Sequence, residues 1–175
     1  MVVDPVMGDH GKVYQTYTSA MCDGTACLAE QADIITPNLT EAALLLGLPY
    51  RDVLVADCRE IAERLSLDGR RSVGLTGAPT REDWTGGACF DSSSGRTEMI
   101  ETRRVPREFH GTGDVFASVL TGALLQGNPL PQAARRAGEV IRVCAERTAA
   151  QDLPMREGVD FEPLLGLLTG GKPIA

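Results

Sequence analysis

Residues 32–47 read ADIITPNLTEAALLLG, and this stretch indicates the fold class. It begins with a short apolar strand, and Pro37 ends that strand. Asn38 has the side chain of a helix N-cap, and Glu41 follows three residues later, as in a capping box. The apolar run after it ends at Gly47, the residue type that most often closes a helix. A buried strand that turns directly into a helix is the repeating unit of an α/β sheet.

The same alternation of strands and helices extends in both directions along the chain. We predict a strand end at 1–3, a helix at about 18–31 capped by Thr18, a helix from Asp57 to about Leu67, a short strand within 70–77, a β-hairpin within 86–105, helices at about 112–126 and 131–149, and a short helix near 160–168. Nearly continuous apolar strands indicate a mostly parallel sheet covered on both faces. The length suits a single α/β domain over 1–175.

The composition narrows the classes of partner. The 175 residues are 43% hydrophobic but only 5% aromatic, so we expect a core of Leu, Val, Ile and Ala. The formal net charge is −7 and the isoelectric point is about 4.8. Nucleic acids and anionic membranes bind clustered Lys and Arg. Neither partner is therefore expected.

The cysteines indicate a reducing compartment. Cys22, Cys27, Cys58, Cys89 and Cys144 are scattered and odd in number, and no CxxC pair or zinc-binding set accompanies them. Such thiols are typical of cytosolic proteins. The sequence shows no secretory leader pattern and no apolar run of membrane-spanning length. We expect a cytoplasmic protein.

Four polar motifs follow predicted strands. They are DPVMGD (4–9), TPN (36–38), LTG (75–77) and GTGD (111–114). In α/β sheets, ligands bind outside the carboxyl ends of the strands. The motifs therefore predict one ligand site.

The GTGD motif stands before an apolar helix. Gly111 and Gly113 allow a tight turn and leave backbone N–H groups open to a ligand. With the positive end of the helix dipole, these amides predict an anion site suited to a phosphoryl group. Asp114 would repel a phosphate, so it is either a favourable first-turn charge or a general base for an attacking alcohol. The residues alone leave both roles open.

The other motifs carry oxygen ligands. Asn38 and Glu41 lie three residues apart at a helix start and could face one cleft. Mg²⁺ prefers oxygen ligands, and phosphate oxygens often complete its shell. The same pair is equally an ordinary capping box. Asp4 and Asp9 could help to hold a cation, with Lys12 offsetting phosphate charge, or could form a plain polar turn.

Taken in order, DPVMGD (4–9), ITPNLTEA (35–42), LTG (75–77) and GTGDVFASVLTGALLQG (111–127) resemble the ribokinase-like superfamily. The first two motifs together resemble its vitamin B6 branch, the pyridoxal (pyridoxine, pyridoxamine) kinases. The similarity extends to about residue 148. It implies a three-layer α/β sandwich and the ATP-dependent phosphorylation of the 5′-hydroxymethyl group of a B6 vitamer. It also implies ATP, Mg²⁺ and a monovalent cation, K⁺ or Na⁺, as cofactors.

The resemblance implies a role for each motif residue. Asp114 resembles the catalytic base of the family, and Gly111, Thr112 and Gly113 resemble its anion hole for the transferring phosphoryl group. Asn38 and Glu41 resemble the pair that orders Mg²⁺ and its waters. The other implied positions are Asp4, Asn38, Thr76, Gly77 and Thr112 at the nucleotide, Asp9 and Thr36 near a monovalent cation and the triphosphate, Val105 and Pro106 beside adenine, and Tyr14 near the phosphates.

The nearest related activity is that of the hydroxymethylpyrimidine (phosphate) kinases of thiamine synthesis, which share the fold and the first motifs. They usually read GTGC where this chain reads GTGD, which favours a B6 kinase. B6 kinases carry a further N-terminal segment with several strands, the lid and most vitamin contacts. We therefore expect this chain to correspond to the C-terminal, nucleotide-binding part. The remaining alternative is a nucleotide-binding piece without kinase activity. Because members of the resembled family are commonly dimers, we also expect a homodimer.

Overall fold

The structure, a computed structural model, describes residues 1–151 and 157–169. Its contacts divide the chain into two units. The first comprises Met1–Thr80 with Gly86–Ile100, and the second comprises Arg81–Thr85 with the described residues from Glu101 onward. The prediction of one domain over 1–175 stays a prediction.

The strands are short at the start of the chain and long in the hairpin near its middle. They are β1 (Val2–Val3), β2 (Gly8–Asp9), β3 (Lys12–Val13), β4 (Ile34–Ile35), β5 (Ser72–Gly74), β6 (Ala78–Pro79), β7 (Trp84–Asp91) and β8 (Arg96–Arg103). The helices are α1 (Ser19–Glu30), α2 (Leu39–Leu46), α3 (Tyr50–Val55), α4 (Cys58–Leu65), α5 (Thr112–Leu125), α6 (Leu130–Ala150) and a 3-10 helix (Glu162–Thr169). None of these described helices is long and apolar enough to cross a membrane.

The strands that precede the motifs DPVMGD, TPN and LTG form the parallel part of the main sheet. Its order is β1-β4-β5-β7-β6, with β8 paired to β7. Strands β1, β4 and β5 run parallel, whereas β7 joins β5 in antiparallel orientation. Parallel strands end at a common edge, so the loops after β1, β4 and β5 emerge on the same side. The predicted α/β class is confirmed.

Local capping explains the predicted helices of the first unit. Thr18 caps α1 through its side chain, and Asp57 caps α4 in the same way. At α2 the full capping box of Asn38 and Glu41 is present, and Gly47 ends the helix in the left-handed conformation at φ 63°. These predicted boundaries are confirmed.

Two helices of the first unit differ from the sequence prediction. Helix α3 was not predicted, because it has six residues and its N-cap, Pro49, makes no side-chain cap hydrogen bond. Helix α4 ends at Leu65 rather than near Leu67, because Leu67 and Asp68 take positive φ values of 56° and 58°. A right-handed helix cannot continue through such residues.

The end of the DPVMGD motif and the residues after it form a hairpin, which the sequence analysis did not predict. Strands β2 and β3 pair in antiparallel orientation, Gly8 with Val13 and Asp9 with Lys12. The two turn residues, His10 and Gly11, have φ values of 50° and 75°. Left-handed conformations at both central positions are typical of the tight turns that suit hairpins.

A buried arginine links two helices of the first unit. Arg71 is only 5% exposed. Its Nε donates to the carbonyl of Leu65 at 2.7 Å, and its guanidinium also donates to the carbonyl of Ala29. The last turns of α1 and α4 are thereby held together, since a cation at a helix C-terminus stabilises the carbonyl groups there. Burial lowers the pKa of this guanidinium.

The second unit is built on α5 packed against α6. Phe116 and Leu120 of α5 are buried, and so are Ala137 and Cys144 of α6. The segment after α6 is tied back to that helix, because the amide of Asp160 donates to Thr148 Oγ1 at 2.9 Å.

Candidate active site

Glu41 is the most deeply buried acid of the motifs, at 3% exposure. Its Oε2 accepts from the Asn38 amide at 2.8 Å and its Oε1 from the Met7 amide at 3.2 Å. Burial, together with the negative charges of Asp4 and Asp9, raises the pKa of the carboxyl to about 7, against the lowering effect of the two hydrogen bonds. The carboxyl group of Glu41 therefore gains or loses its proton near neutral pH.

Asn38 joins the start of α2 to the β2–β3 hairpin. Its Oδ1 accepts from the amides of Thr40 and Glu41, and its Nδ2 donates to the carbonyl of Gly8 at 2.9 Å. These partners of the Asn38 side chain all belong to the motifs DPVMGD (4–9) and ITPNLTEA (35–42). The side chain is thus fully oriented by its neighbours.

Thr36 lies beside Asp4, as the resemblance implies for two positions of one site. The buried hydroxyl of Thr36 donates to Asp4 Oδ1 at 2.9 Å. The bond connects the ends of β1 and β4, which are neighbours in the sheet. It fixes one carboxylate oxygen of Asp4 at the common edge.

The LTG motif reaches the same edge from β5. Thr76 donates its amide to the Pro37 carbonyl at 2.9 Å, and it forms an isolated parallel bridge with Asn38. Gly77 follows at φ 76°. A side chain would be strained at this φ, which is why glycine suits the position. Gly77 is exposed, so its backbone is accessible just after the strand.

The hairpin carries Asp9 and leads to Tyr14. Asp9 is exposed, and one of its carboxylate oxygens accepts from the His10 amide at 2.8 Å. Tyr14 donates its amide to the Met7 carbonyl at 3.0 Å, and its ring packs edge-on against Tyr17. The structure thus brings together the predicted positions Asp4, Asp9, Thr36, Asn38, Glu41, Thr76 and Gly77 within the first unit.

The donor set suits a hard cation. The side chains of Asp4 and Glu41 offer carboxylate oxygens, whereas the amide of Asn38 already bonds to Thr40, Glu41 and Gly8. Within residues 1–151 and 157–169, no three His, Cys, Asp or Glu side chains converge as a ready-made metal site. Carboxylate oxygens are the type of ligand that Mg²⁺ prefers, and phosphate oxygens and water would have to complete its shell.

The GTGD motif forms the start of α5 in the second unit. Gly111 is the N-cap at φ 82° and makes no side-chain cap hydrogen bond. Thr112 donates its hydroxyl to the Phe109 carbonyl at a long 3.5 Å. Gly113 and Asp114 are exposed in the first turn. The first amides of α5 are therefore open to a ligand, and their role as an anion site stays a prediction.

Asp114 and Gly111 line a cavity of about 450 Å³. Its other walls are mostly apolar and come from α5, α6 and the segment 157–168, including Val115, Val140, Val159 and Leu164. Val159 closes this region by donating its amide to the His110 carbonyl at 3.1 Å. The sequence carried no signal that the segment after α6 would line this cavity.

Val105 and Pro106, predicted beside adenine, lie in a bend after β8. Val105 is half-buried, Pro106 is exposed, and the Arg107 amide donates to the Val105 carbonyl at 2.7 Å. They do not line the 450 Å³ cavity. Their role at a nucleotide stays a prediction.

A family model for phosphomethylpyrimidine kinase matches residues 1–158. The chain belongs to the phosphomethylpyrimidine kinase family. Similar proteins that are named as B6 kinases confirm the resemblance to pyridoxal kinases within the ribokinase-like superfamily.

Three relatives illustrate the range of this phosphomethylpyrimidine kinase family. The chain is 30% identical over 148 residues to the pyridoxine/pyridoxal/pyridoxamine kinase of Bordetella bronchiseptica, which covers 83% of this chain and 51% of the relative. It is 30% identical over 173 residues to the hydroxymethylpyrimidine/phosphomethylpyrimidine kinase of Haemophilus influenzae, covering 93% and 59%. The crystal structure of pyridoxal kinase from Lactobacillus plantarum matches with a TM-score of 0.85 at 35% identity, covering 97% and 60%.

The chain thus spans about half to three-fifths of the length of these relatives. Their names divide between B6 kinases and thiamine-pathway kinases. The family is shown, and its division leaves the acceptor open between the two predicted alternatives.

Proposed function

We propose that this chain forms the nucleotide-binding and phosphoryl-transferring part of a kinase that uses ATP to phosphorylate the 5′-hydroxymethyl group of a B6 vitamer. One observation carries the proposal. Asp114 is exposed in the first turn of α5, at the wall of a cavity and beside the helix amides that follow Gly111. An acid in this position suits deprotonation of an alcohol better than phosphate binding, because like charges repel.

In the proposed mechanism, Asp114 accepts the proton of the acceptor hydroxyl as its oxygen attacks the γ-phosphorus of ATP. The bond from that phosphorus to the β–γ bridging oxygen breaks, and ADP leaves. The backbone amides of Gly111, Thr112 and Gly113 donate to the transferring phosphoryl group. They stabilise negative charge without reorganising, which is the main contribution a protein makes to such reactions.

We propose that the motif residues of the first unit bind the nucleotide. Mg²⁺, when bound, neutralises charge on the phosphate oxygens. Asn38 and Glu41 would orient the water and phosphate oxygens of a bound Mg²⁺, and Thr36 holds Asp4 in place through their mutual hydrogen bond. Thr76, Gly77, Val105 and Pro106 are proposed to contact the nucleotide, and Asp9 is proposed to lie near a monovalent cation.

The acceptor is proposed to be pyridoxal, pyridoxamine or pyridoxine. The aspartate in GTGD and the 35% identity to a pyridoxal kinase of known structure support this choice. Hydroxymethylpyrimidine or its phosphate is the second candidate, because the matching family model and the Haemophilus influenzae relative carry that name. Both acceptors are heteroaromatic alcohols, so one assay compares them.

The decisive experiment measures ADP release from this chain with Mg·ATP and each of pyridoxal, pyridoxamine and hydroxymethylpyrimidine. Faster release with a B6 vitamer than with hydroxymethylpyrimidine is expected, and the reverse order would assign the chain to thiamine synthesis. Binding of Mg·ATP without turnover by any acceptor would support the third alternative, a nucleotide-binding piece without activity. That outcome is a real alternative, because the chain spans only about half to three-fifths of its relatives.

Two further predictions concern the surroundings of the protein. A cytoplasmic location is proposed from the five free cysteines, two of which are buried. A homodimer is proposed because β1 has a hydrogen-bonded neighbour, β4, on one side only in the described sheet. Size-exclusion chromatography with light scattering tests the dimer.

A further inference from the structure

Three hydrogen bonds fasten the β2–β3 hairpin to the first turn of α2. Two of them use residues already assigned to the nucleotide site: Glu41 accepts from the Met7 amide, and Asn38 donates to the Gly8 carbonyl. The third uses Thr40, whose Oγ1 accepts from the Gly11 amide at 2.9 Å. Thr40 is only 4% exposed.

The Thr40 bond acts at the tip of the hairpin, where the backbone has little freedom. Gly11 sits at φ 75°, and a Cβ built there would lie 2.6 Å from Cδ1 of Tyr50. The turn is therefore held between the Thr40 hydroxyl and the Tyr50 ring. The other two bonds hold the base of the hairpin, so Thr40 is the contact of α2 that acts on its tip.

We propose that Thr40 is a positioning residue that holds the tip of the β2–β3 hairpin against α2, and so fixes Lys12 near the phosphates of Mg·ATP and Asp9 near the monovalent cation. The part that concerns Mg·ATP rests on the proposed function, whereas the part that concerns the hairpin does not. Thr40 itself touches neither substrate nor metal in this proposal. It acts through the backbone of Gly11.

The first test measures amide hydrogen exchange by NMR in Thr40→Val and Thr40→Ser. Valine has the shape of threonine but no acceptor, so exchange at the Gly11 amide is expected to rise about 5- to 30-fold, the factor that corresponds to one buried hydrogen bond. Serine keeps the acceptor and should keep exchange at Gly11 within about twofold of wild type. Unchanged exchange at Gly11 in Thr40→Val would overturn the proposal. A large rise at Gly11 in Thr40→Ser would also overturn it, and this second variant decides the question if Thr40→Val does not fold.

Thr148→Val provides a matched control. Thr148 is another buried threonine of a helix whose hydroxyl accepts a backbone N–H, that of Asp160. The control should raise exchange at Asp160 and leave Gly11 unchanged. A rise at Gly11 in the control would mean that exchange there reports general loosening, and would overturn the assignment to Thr40.

The second test titrates each protein with Mg·ATP by calorimetry. Thr40→Val should weaken binding about 3- to 10-fold, because only the fraction of molecules with the hairpin in place is competent. In a sample that turns over, KM for Mg·ATP should rise while kcat changes less, and Thr40→Ser should restore KM. Wild-type affinity in Thr40→Val, with the Gly11 bond lost, would refute the link to the nucleotide. Failure of wild type to bind Mg·ATP would instead refute the proposed function and leave the exchange result to decide the hairpin.

Discussion

Glu41 accepts a hydrogen bond from the amide of Met7 at 3.2 Å, across 34 positions of the sequence. The bond joins the loop after β1 to the first turn of α2, and the other carboxylate oxygen completes the cap of that helix. One buried acid thus serves helix capping, loop anchoring and the proposed metal site. Its pKa of about 7 makes these roles sensitive to pH and to bound cations.

Glu41 should make stability fall as the pH rises through the acid range. Its pKa is raised from 4.5 to about 7 in the folded protein, so the unfolded chain loses this proton first. In metal-free buffer, the contribution of Glu41 should therefore lower the free energy of unfolding progressively between about pH 4.5 and 7, by up to about 3 kcal/mol, and then level off. Urea unfolding of wild type and Glu41→Gln over this range measures it. A difference between the two proteins that does not vary with pH would contradict the expectation.

Binding of Mg·ATP should release a proton from Glu41. A cation near the carboxyl favours its ionised form, and at pH 7 about half of the molecules carry the proton in the free state. Titration with preformed Mg·ATP in buffers of different ionisation enthalpy should therefore show release of up to about half a proton. The release should disappear in Glu41→Gln. Equal release in both proteins would place its source elsewhere.

Asp114→Asn should remove catalysis while leaving the fold intact. Asparagine cannot accept the hydroxyl proton as a base, so vitamer-dependent ADP release should fall about 10²–10⁴-fold. Asp114 is exposed, and the loss of a first-turn charge costs only about 0.3–1 kcal/mol in the free energy of unfolding. Glu60→Gln, an exposed first-turn acid of α4, is the matched control and should retain full turnover. Turnover in Asp114→Asn equal to that of the control would show that Asp114 is only a helix charge.

Two glycine substitutions should change stability in opposite directions. Gly24 is exposed in α1, and a Cβ there meets no atom within 4 Å, so Gly24→Ala should raise the free energy of unfolding by about 0.5–1 kcal/mol. A Cβ on Gly87 of β7 would lie 1.8 Å from the Leu75 carbonyl oxygen, so Gly87→Ala should lower it by about 1–3 kcal/mol or more. Urea unfolding measures both. Tolerance of alanine at Gly87 would mean that the strand beside Leu75 can shift.

The cysteines should react in an order set by burial. Cys27 is exposed on α1, whereas Cys144 is buried in α6, and burial raises the pKa of its thiol to about 11. With a disulfide reagent at pH 8, Cys27 should be modified rapidly in the native protein and Cys144 only after unfolding, because the thiolate is the reacting form. Mass spectrometry of the modified peptides identifies each site. Early modification of Cys144 would show that α6 opens in the native state.

The features that depend on near neighbours in the chain could be predicted from the local sequence. The caps at Thr18, Asn38 and Asp57 act over two or three residues, so their side chains specify the helix starts wherever the helices pack. The order of apolar strands and helices likewise determined the α/β class. The motif GTGD placed exposed amides and an acid at the start of α5 by local geometry alone.

Tertiary structure decided the features that join distant segments. The pKa of Glu41 depends on burial and on Met7 and Asp4. The tip of the hairpin is held by Thr40, 29 positions along the chain from Gly11, and the cavity beside Asp114 is walled by residues beyond α6. Helix α3 has no side-chain cap hydrogen bond, so packing has to stabilise it. Burial and hydrogen bonding between distant residues exist only in the folded chain, because desolvation and contact are properties of position in space rather than of residue order.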